Sequence, residues 1–319
     1  MKQIFLTAFI AMLATVSTQG HCRSKNNDGV VSRVYIHKYG VEVPQNDWIH
    51  RGKDGKIISK LTDGRRAVNT YVRGVLDGES TYTFPHNHTI EKREFYSDGI
   101  LTKVIQNYPS GNPQEEISFE TPDVKLVTKF YESGSISSKE LIDEDFIISG
   151  EYFNANNKAE SFVNEGNGIR INRDPFGTLE SHDTIEEGEL ALRTVFHPNG
   201  SPRVKTPYVN GEIHGTREYY FPTGEPEASE TWVNGQPHGV ATLYKNGEVI
   251  AEVPYLYGVR EGIERRYNDQ GDVVEEVSWS HNQRHGPTFT YVEDITQTEW
   301  FHKGKPITKS SFDKMRKKR

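Results

Sequence analysis

The chain has 319 residues, a length typical of two ordinary globular domains, but only 34% of them are hydrophobic and the mean hydropathy is −0.72. This composition favours a thin sheet with much exposed surface over two compact cores. The formal net charge is −7, and Lys and Arg are spread through the middle of the chain without clustering, so we expect no nucleic acid among the partners.

Residues 1–20 have the pattern of a secretory signal peptide. One lysine precedes an apolar run from Ile4 to Val16, and small and polar residues follow it. The run is too short to span a bilayer comfortably. Cleavage after Gly20 or after Ser17 fits the small-residue rule, and the alternative is a buried first strand or helix.

Residues 21–33 form a predicted polar linker that contains Cys22, the one cysteine of the sequence. A single cysteine excludes an internal disulfide. Its place directly after a signal peptide resembles the lipidated cysteine of bacterial lipoproteins, although His21 stands where a small residue is expected. We therefore keep two interpretations of Cys22, a lipidation site that holds the protein at a membrane and an incidental free thiol.

A repeat then occupies residues 34–305. The stretch "YVNGEIHG" at 208–215 returns as "WVNGQPHG" at 232–239, and weaker copies begin at Tyr255 and Trp279. A second turn residue recurs from Gly40 to Gly271 in steps of 23 or 24 residues, apart from one step of 20. A fixed period of this size indicates a tandem repeat architecture.

Each unit is predicted to be one β-hairpin. Asn-Gly and Asp-Gly between alternating segments are the strongest short-range hairpin signal, because a type I′ turn needs positive φ at both central residues. About eleven stacked units predict an all-β, elongated ribbon on the order of 100 Å long. The repeat turn glycines of the best-preserved units are Gly211, Gly215, Gly224, Gly235, Gly239, Gly247, Gly258, Gly262 and Gly271.

The units between residues 112 and 177 are degenerate, and the short step of 20 residues runs from Asn157 to Gly177. We therefore expect a kink or altered strand pairing in this part of the ribbon. Valine in place of Gly235 should strain an Asn-Gly turn, whereas valine in place of Gly134, which no Asn or Asp precedes, should matter less.

The spacing Tyr-x-Asn-Gly-x-x-His-Gly, followed by Tyr-x-x-x-Gly, resembles the MORN repeat in its bacterial variant form. Residues 208–215 with Tyr220 and Gly224 carry it, and so do residues 232–239 with Tyr244 and Gly247. The resemblance implies a twisted antiparallel ribbon that serves as a scaffold or interaction surface. For relatives of this kind it also implies phospholipid binding or the label of an antitoxin component.

The sequence offers no catalytic, metal or cofactor site. His214, His238 and His285 hold equivalent places, but equivalents lie roughly 9–10 Å apart, too far to share one zinc ion. We expect each of them to support its turn and cover an aromatic neighbour. No nucleophile stands beside a base and an orienting group, so the sequence predicts a protein that is not an enzyme.

Aromatic residues at the repeat spacing are assigned to the core. Tyr208, Trp232, Tyr255 and Trp279 are predicted to stack as a ladder along one face. Tyr219 and Tyr257 are left over on the opposite face or the edge, and they are the candidate partner contacts.

Residues 306–319 are predicted to be a C-terminal cap and basic tail. Ser310 with Asp313 resembles a capping box, so a short helix is expected there, with Phe312 closing the last hairpin. The run from Arg316 to Arg319 could attract anionic lipid or an acidic partner, or it could be a solvated end.

Together these features predict an exported, non-enzymatic repeat scaffold, periplasmic, anchored at the cell envelope or secreted. It would bind a protein partner of open identity through the face or edge of the ribbon. The alternatives are a lipid-surface binding protein and an antitoxin-like inhibitor of a protein. The sequence leaves the oligomeric state open.

Overall fold

The predicted turns reverse the chain so that each strand pairs with the strands before and after it. The structure is a computed structural model that describes residues 29–316, and these form one open antiparallel sheet with two short helices. The prediction of an elongated all-β ribbon of hairpins with a short C-terminal helix is confirmed.

The first part of the ribbon comprises β1 (Val30–His37), β2 (Glu42–Val43), α1 (Gln45–His50), β3 (Gly55–Leu61), β4 (Arg66–Val72), β5 (Val75–Leu76), β6 (Gly78–Thr83), β7 (Ile90–Ser97), β8 (Ile100–Asn107) and β9 (Pro113–Phe119). The middle part comprises β10 (Val124–Phe130), β11 (Ile136–Asp143), β12 (Phe146–Phe153), β13 (Ala159–Asn164), β14 (Asn167–Arg173), β15 (Leu179–Glu186) and β16 (Glu189–Phe196).

The last part comprises β17 (Pro202–Val209), β18 (Glu212–Ile213), β19 (Gly215–Tyr220), β20 (Pro226–Val233), β21 (Gln236–Pro237), β22 (Gly239–Lys245), β23 (Glu248–Leu256), β24 (Val259–Arg260), β25 (Gly262–Tyr267), β26 (Val273–Ser280), β27 (Gln283–Val292), β28 (Ile295–His302), β29 (Lys305–Ile307) and α2 (Lys309–Arg316).

Two kinds of turn alternate along the ribbon. Asn234 and Gly235 have φ of 49° and 74°, the pattern of a two-residue type I′ turn. The loop after Phe221 is longer: the Gly224 N–H donates to the Phe221 carbonyl at 2.8 Å, and Gly224 has φ of 91°. Hydrogen bonds at these turns also join consecutive units. The Gly235 N–H, for example, donates to the carbonyl of Ile213 in the preceding unit at 2.9 Å.

Much of the buried core forms one row on one face, which we call the inner face, and Ile147, Tyr152 and Ile185 pack beside it around Val163. The members of the row are the middle residues of successive strands, and they are paired directly across the ladder. The most buried members of this central row are Ser80, Val127, Glu140, Val163, Asp183, Thr206, Ala241, Val253, Glu264, Val277 and Thr288. Larger side chains on both sides of the row cover it.

The aromatic residues at the repeat spacing belong to this cover, but they do not stack on one another. Neighbouring members lie two strands apart, roughly 9.6 Å, which exceeds the reach of ring stacking. They bond to carboxylates instead: Trp232 Nε1 donates to Glu230 at 3.0 Å, and Trp279 Nε1 donates to Glu264 at 2.9 Å. The predicted stacked ladder is therefore wrong.

A helix missed by the sequence analysis closes the first end of the ribbon. Strand β1 begins at Val30, inside the predicted linker, and α1 follows directly after β2. Trp48 of α1 is buried, and its ring lies 5.9 Å from Tyr35 and 6.3 Å from Tyr71. The period-2 pattern gives no signal for this six-residue helix, because burial of its one tryptophan holds it in place.

The other end is closed by α2, which begins at Lys309. Thr308, and not Ser310, caps the helix, because its hydroxyl oxygen accepts the Ser311 N–H at 3.3 Å. The Phe312 ring lies 5.1 Å from Trp300 and 5.5 Å from His285. Phe312 therefore packs on the last hairpins, as expected.

The pairing breaks between β13 and β14. These strands share only the pairs Val163 with Gly168 and Asn164 with Asn167, although β14 and β15 share six pairs. Beyond those two pairs, the Glu132 N–H donates to the Pro175 carbonyl at 2.9 Å, so turns from non-consecutive units meet. The altered pairing expected from the 20-residue step lies here.

We predict that valine at Gly235 and valine at Gly134 have similar effects. Gly134 has φ of 88° and Gly235 has φ of 74°, so both sites need a left-handed residue although no Asn or Asp precedes Gly134. A left-handed β-branched residue should cost about 1–2 kcal/mol at either site. Limited proteolysis and thermal unfolding measure this, with Gly235→Asn as the control, because asparagine tolerates left-handed φ. A sensitive Gly235 beside an indifferent Gly134 would contradict it.

We also predict that amide hydrogen exchange reports the break between β13 and β14. Backbone N–H groups of residues 159–162 and 169–173 that point across the opening lack a ladder partner and should exchange faster than those shared by β14 and β15. Exchange at a uniform rate across this whole stretch would argue that the two strands remain paired in solution.

Candidate functional site

The break between β13 and β14 opens a cleft on the inner face. Its cavity has a volume of about 550 Å³, and its walls come from β10 to β12 on one side and from β14 to β16 on the other. A neighbouring cavity of about 340 Å³ shares Lys129, Tyr131, Ser137 and Arg173 with it. Arg173 of β14 and Glu160 of β13 form an ion pair at 2.8 Å across the opening.

Asp183 lies beneath this cleft with no exposed surface, and four side chains donate to its carboxylate. Arg193 binds both oxygens, with Nε 2.8 Å from Oδ1 and Nη2 2.8 Å from Oδ2. Arg170 Nη2 lies 3.1 Å from Oδ2, and Asn172 Nδ2 lies 2.9 Å from it. Ser181 Oγ completes the set at 3.3 Å from Oδ1. The register explains the convergence, because Asp183 pairs with Arg170 on one side and Arg193 on the other.

The electrostatics keep this cluster ionised. Burial alone would raise the pKa of Asp183, but hydrogen bonds and charge from Arg193 and Arg170 outweigh it and hold the pKa below its ordinary value. The hydrogen bond to Asp183 in turn raises the pKa of Arg193. Two guanidinium groups are therefore fixed by one buried carboxylate.

Glu140 and Tyr152 extend the cluster along the opposite wall. The Tyr152 hydroxyl donates to Glu140 Oε1 at 2.7 Å, and burial together with the Glu140 charge raises the pKa of Tyr152. Arg170 Nη1 lies 3.8 Å from the same Glu140 oxygen. Arg170 therefore lies between two buried carboxylates, one on each wall of the cleft.

Equivalent positions in three other units carry no charge. Asp183 is the sixth residue after the turn glycine Gly177, and the sixth residues of the corresponding units include Val163, Val253 and Val277. All three valines are buried on the same central row. Ala241, which pairs with Val253 from the preceding strand, stands where Arg170 pairs with Asp183.

The sequence analysis missed Arg170, Asp183 and Arg193. A signal was present, because charged residues stand in mid-strand positions where other units carry apolar ones, next to the one short step. A pattern of alternation alone cannot distinguish such a cluster from a solvated charged face.

The opposite, outer face carries a row of uncharged residues from β14 to β28. The members pair across the ladder or meet at the β-bulges. This uncharged row consists of Ile169, Thr184, Leu192, Pro207, Thr216, Thr231, Val240, Pro254, Ile263, Ser278, Pro287 and Trp300. Val240 and Ile263 are 49% and 47% exposed.

A charged and polar row lies beside it on the same face. It consists of Lys205, Glu218, Ser229, Thr242, Glu252, Arg265 and Glu276, each paired with the next. The outer face is therefore divided lengthwise into an uncharged half and a charged half.

The two candidate contact tyrosines have different environments. Tyr219 lies on the inner face with Trp232, because Glu230 accepts hydrogen bonds from both, so its assignment to the opposite face is wrong. Burial and the Glu230 charge raise the pKa of Tyr219 to about 12. Tyr220 takes the outer face instead, where its hydroxyl donates to Glu218. Tyr257 lies in a turn at the ribbon edge, 61% exposed, with its ring 4.5 Å from His238.

The nine repeat glycines all have positive φ, but they serve two purposes. Those in connecting turns are Gly211, Gly224, Gly235, Gly247, Gly258 and Gly271. Gly215, Gly239 and Gly262 lie at β-bulges within the hairpins, not in turns. The residue before Gly239 shows the bulge, because the His238 N–H donates to the Thr231 carbonyl of the facing strand at 2.8 Å.

The remaining predicted features give no site in the part of the chain that the structure describes. Between residues 29 and 316, no group of His, Cys, Asp and Glu is placed to hold a metal ion, and neither helix is long and apolar enough to cross a membrane. The predicted signal peptide, Cys22 and residues 317–319 of the basic tail lie outside the described residues.

Comparison with known proteins gives weak structural matches for this chain. No family model matches it, and no curated protein matches it. It is similar to a chain of the Photorhabdus luminescens Tc holotoxin pore (15% identity, TM-score 0.21) and to a chain of a TcdB2-TccC3 structure (14% identity, TM-score 0.18). The matches cover 82% and 74% of this chain but only 16% of each of those chains.

We predict that Asp183→Asn destabilises the protein, whereas Asp183→Val with Arg193→Ala does not. The single change removes the counter-charge of the half-buried Arg193 and leaves Arg170 with Glu140 alone. Its cost should be at most about 3 kcal/mol, the low end for a buried pair, because the Arg193 side chain is 37% exposed. The double change removes Arg193 together with its counter-charge and puts valine on the central row, as at Val253, while Arg170 keeps Glu140 at 3.8 Å, so its stability should be near wild type. Denaturant unfolding compares them, and a double variant less stable than Asp183→Asn would contradict the prediction.

Proposed function

We propose that this chain is an exported, non-enzymatic scaffold that binds another protein along the uncharged row of its outer face. The β-rich hairpin repeat architecture is the framework of this proposal. The observation that carries it is the uncharged row, because the interior of a protein interface is depleted of charge while its rim is polar. The charged row beside it supplies such a rim.

The geometry supports a long, shallow contact. The uncharged row crosses the strands from β14 to β28, and an outer face without a second sheet layer leaves Val240 and Ile263 half exposed. Exposed apolar side chains that recur on one face are typical of interaction surfaces. Tyr257, at the edge beside the same units, could add to the contact.

The rest of the proposal rests on the sequence. Residues 1–20 have the signal-peptide pattern that supports export. The turn and bulge positions of residues 208–215 and 232–239 fit a MORN-like unit, in which Gly211 and Gly235 close the turn and Gly215 and Gly239 form the bulge. The alternatives of a lipid-surface protein and an antitoxin-like inhibitor have no supporting observation among the described residues.

We predict that Val240→Lys with Ile263→Lys abolishes capture of the protein partner from crosslinked cells of the native host. Two buried ammonium groups at a contact would be desolvated without a partner charge. The matched control is Thr242→Lys, on the same strand and face as Val240 but in the charged row, opposite Glu252. The captured protein is then made pure, and its affinity for each variant is measured.

Retention of binding by the double variant would remove the uncharged row as the contact. Sedimentation with anionic liposomes, in the absence of any protein partner, would favour the lipid-surface alternative.

A further inference from the structure

The cleft between β13 and β14 contains hydrogen-bond donors that the fold does not use. Lys129 Nζ has no ion pair and no hydrogen bond among the described residues, and it lines the cavity. Arg193 spends Nε and Nη2 on Asp183, which leaves Nη1 without a protein partner. The hydroxyl groups of Ser137 and Ser138 line the same cavity.

Asp183 fixes the arginine side chains in place. A fully buried carboxylate costs desolvation energy, and three other units have valine at its position. A buried carboxylate that holds partly exposed guanidinium groups in one geometry has the form of a supporting residue beneath a binding site. Arg193 donates to both carboxylate oxygens of Asp183, and this bidentate contact fixes the orientation of its guanidinium group.

The charges that face the cleft favour an anion. Four cations line it, Lys129, Arg170, Arg173 and Arg193, against the carboxylates of Glu140 and Glu180. Arg173 is neutralised by Glu160, and Arg170 is shared between Asp183 and Glu140. Lys129 Nζ and Arg193 Nη1, which lie on opposite walls of the cleft, therefore remain to bind a ligand.

We propose that this cleft binds a small molecule through a carboxylate or phosphate group held between Lys129 and Arg193. Arginine and lysine together are the usual partners of both groups. The cavity of about 550 Å³ lies within the range of small-molecule sites. This site is independent of the proposed protein contact, because it lies on the inner face.

Isothermal titration calorimetry of the folded chain tests the proposal, with inorganic phosphate and succinate as separate probes at equal ionic strength. We expect saturable binding of at least one probe, and the stronger of the two identifies the anionic group. Added salt should weaken it. Lys129→Gln should weaken binding at least about fivefold, a change of about 1 kcal/mol. Arg193→Gln should abolish it.

The control is Arg217→Gln, an inner-face arginine whose guanidinium lies 5.0 Å from the Tyr219 ring and does not line the cleft. Lys129→Gln decides the outcome if Arg193→Gln alters folding, because Lys129 makes no ion pair that could be lost. Absence of binding by both probes overturns the proposal. So does binding that Lys129→Gln leaves unchanged, or that Arg217→Gln weakens equally.

Discussion

A single-layer sheet has no second layer to cover it, and this constraint shapes the whole molecule. Burial is concentrated in the mid-strand residues of one face, which are covered by the larger side chains beside them in the sheet. Val163 and Val277 reach complete burial in this way. Because each strand contacts mainly the strands next to it in sequence, the ribbon grows by local pairing, and the turns at its edges bond to one another. Aromatic side chains serve as covers, joined to carboxylates such as Glu230 and Glu264 through their polar atoms.

The same constraint explains why one short unit has a large effect. The hairpin of the 20-residue step, β13 and β14, is paired only beside its turn, so the central row is interrupted there and turns from the units on either side meet. A packed protein would fill this gap with apolar side chains. Here Asp183, Arg170 and Arg193 fill it, and their mutual pairing makes the burial of charge tolerable. The cleft and the ion cluster therefore have one origin.

The ribbon keeps two chemically different surfaces apart. The inner face is occupied by its own cover, and its free donors are confined to the cleft. The outer face has no cover, and its lengthwise division into an uncharged row and a charged row leaves apolar groups such as Val240 and Ile263 in contact with water. A strand exposes alternate residues to the two faces, so one hairpin sequence specifies both surfaces at once.

The sequence by itself determined the turns, and through them the all-β ribbon, because positive φ at an Asn-Gly or similar pair is a local property of two residues. It also located the unit whose pairing is altered, since chain length between turns is equally local. It did not determine which face a given residue occupies. The bulges at Gly215 and Gly239 shift the alternation, so Tyr219 turned inward and Tyr220 outward. Helix α1 and the Asp183 cluster depended on contacts between residues from different strands, and only the tertiary structure decides whether a charge in mid-strand meets water or two arginines.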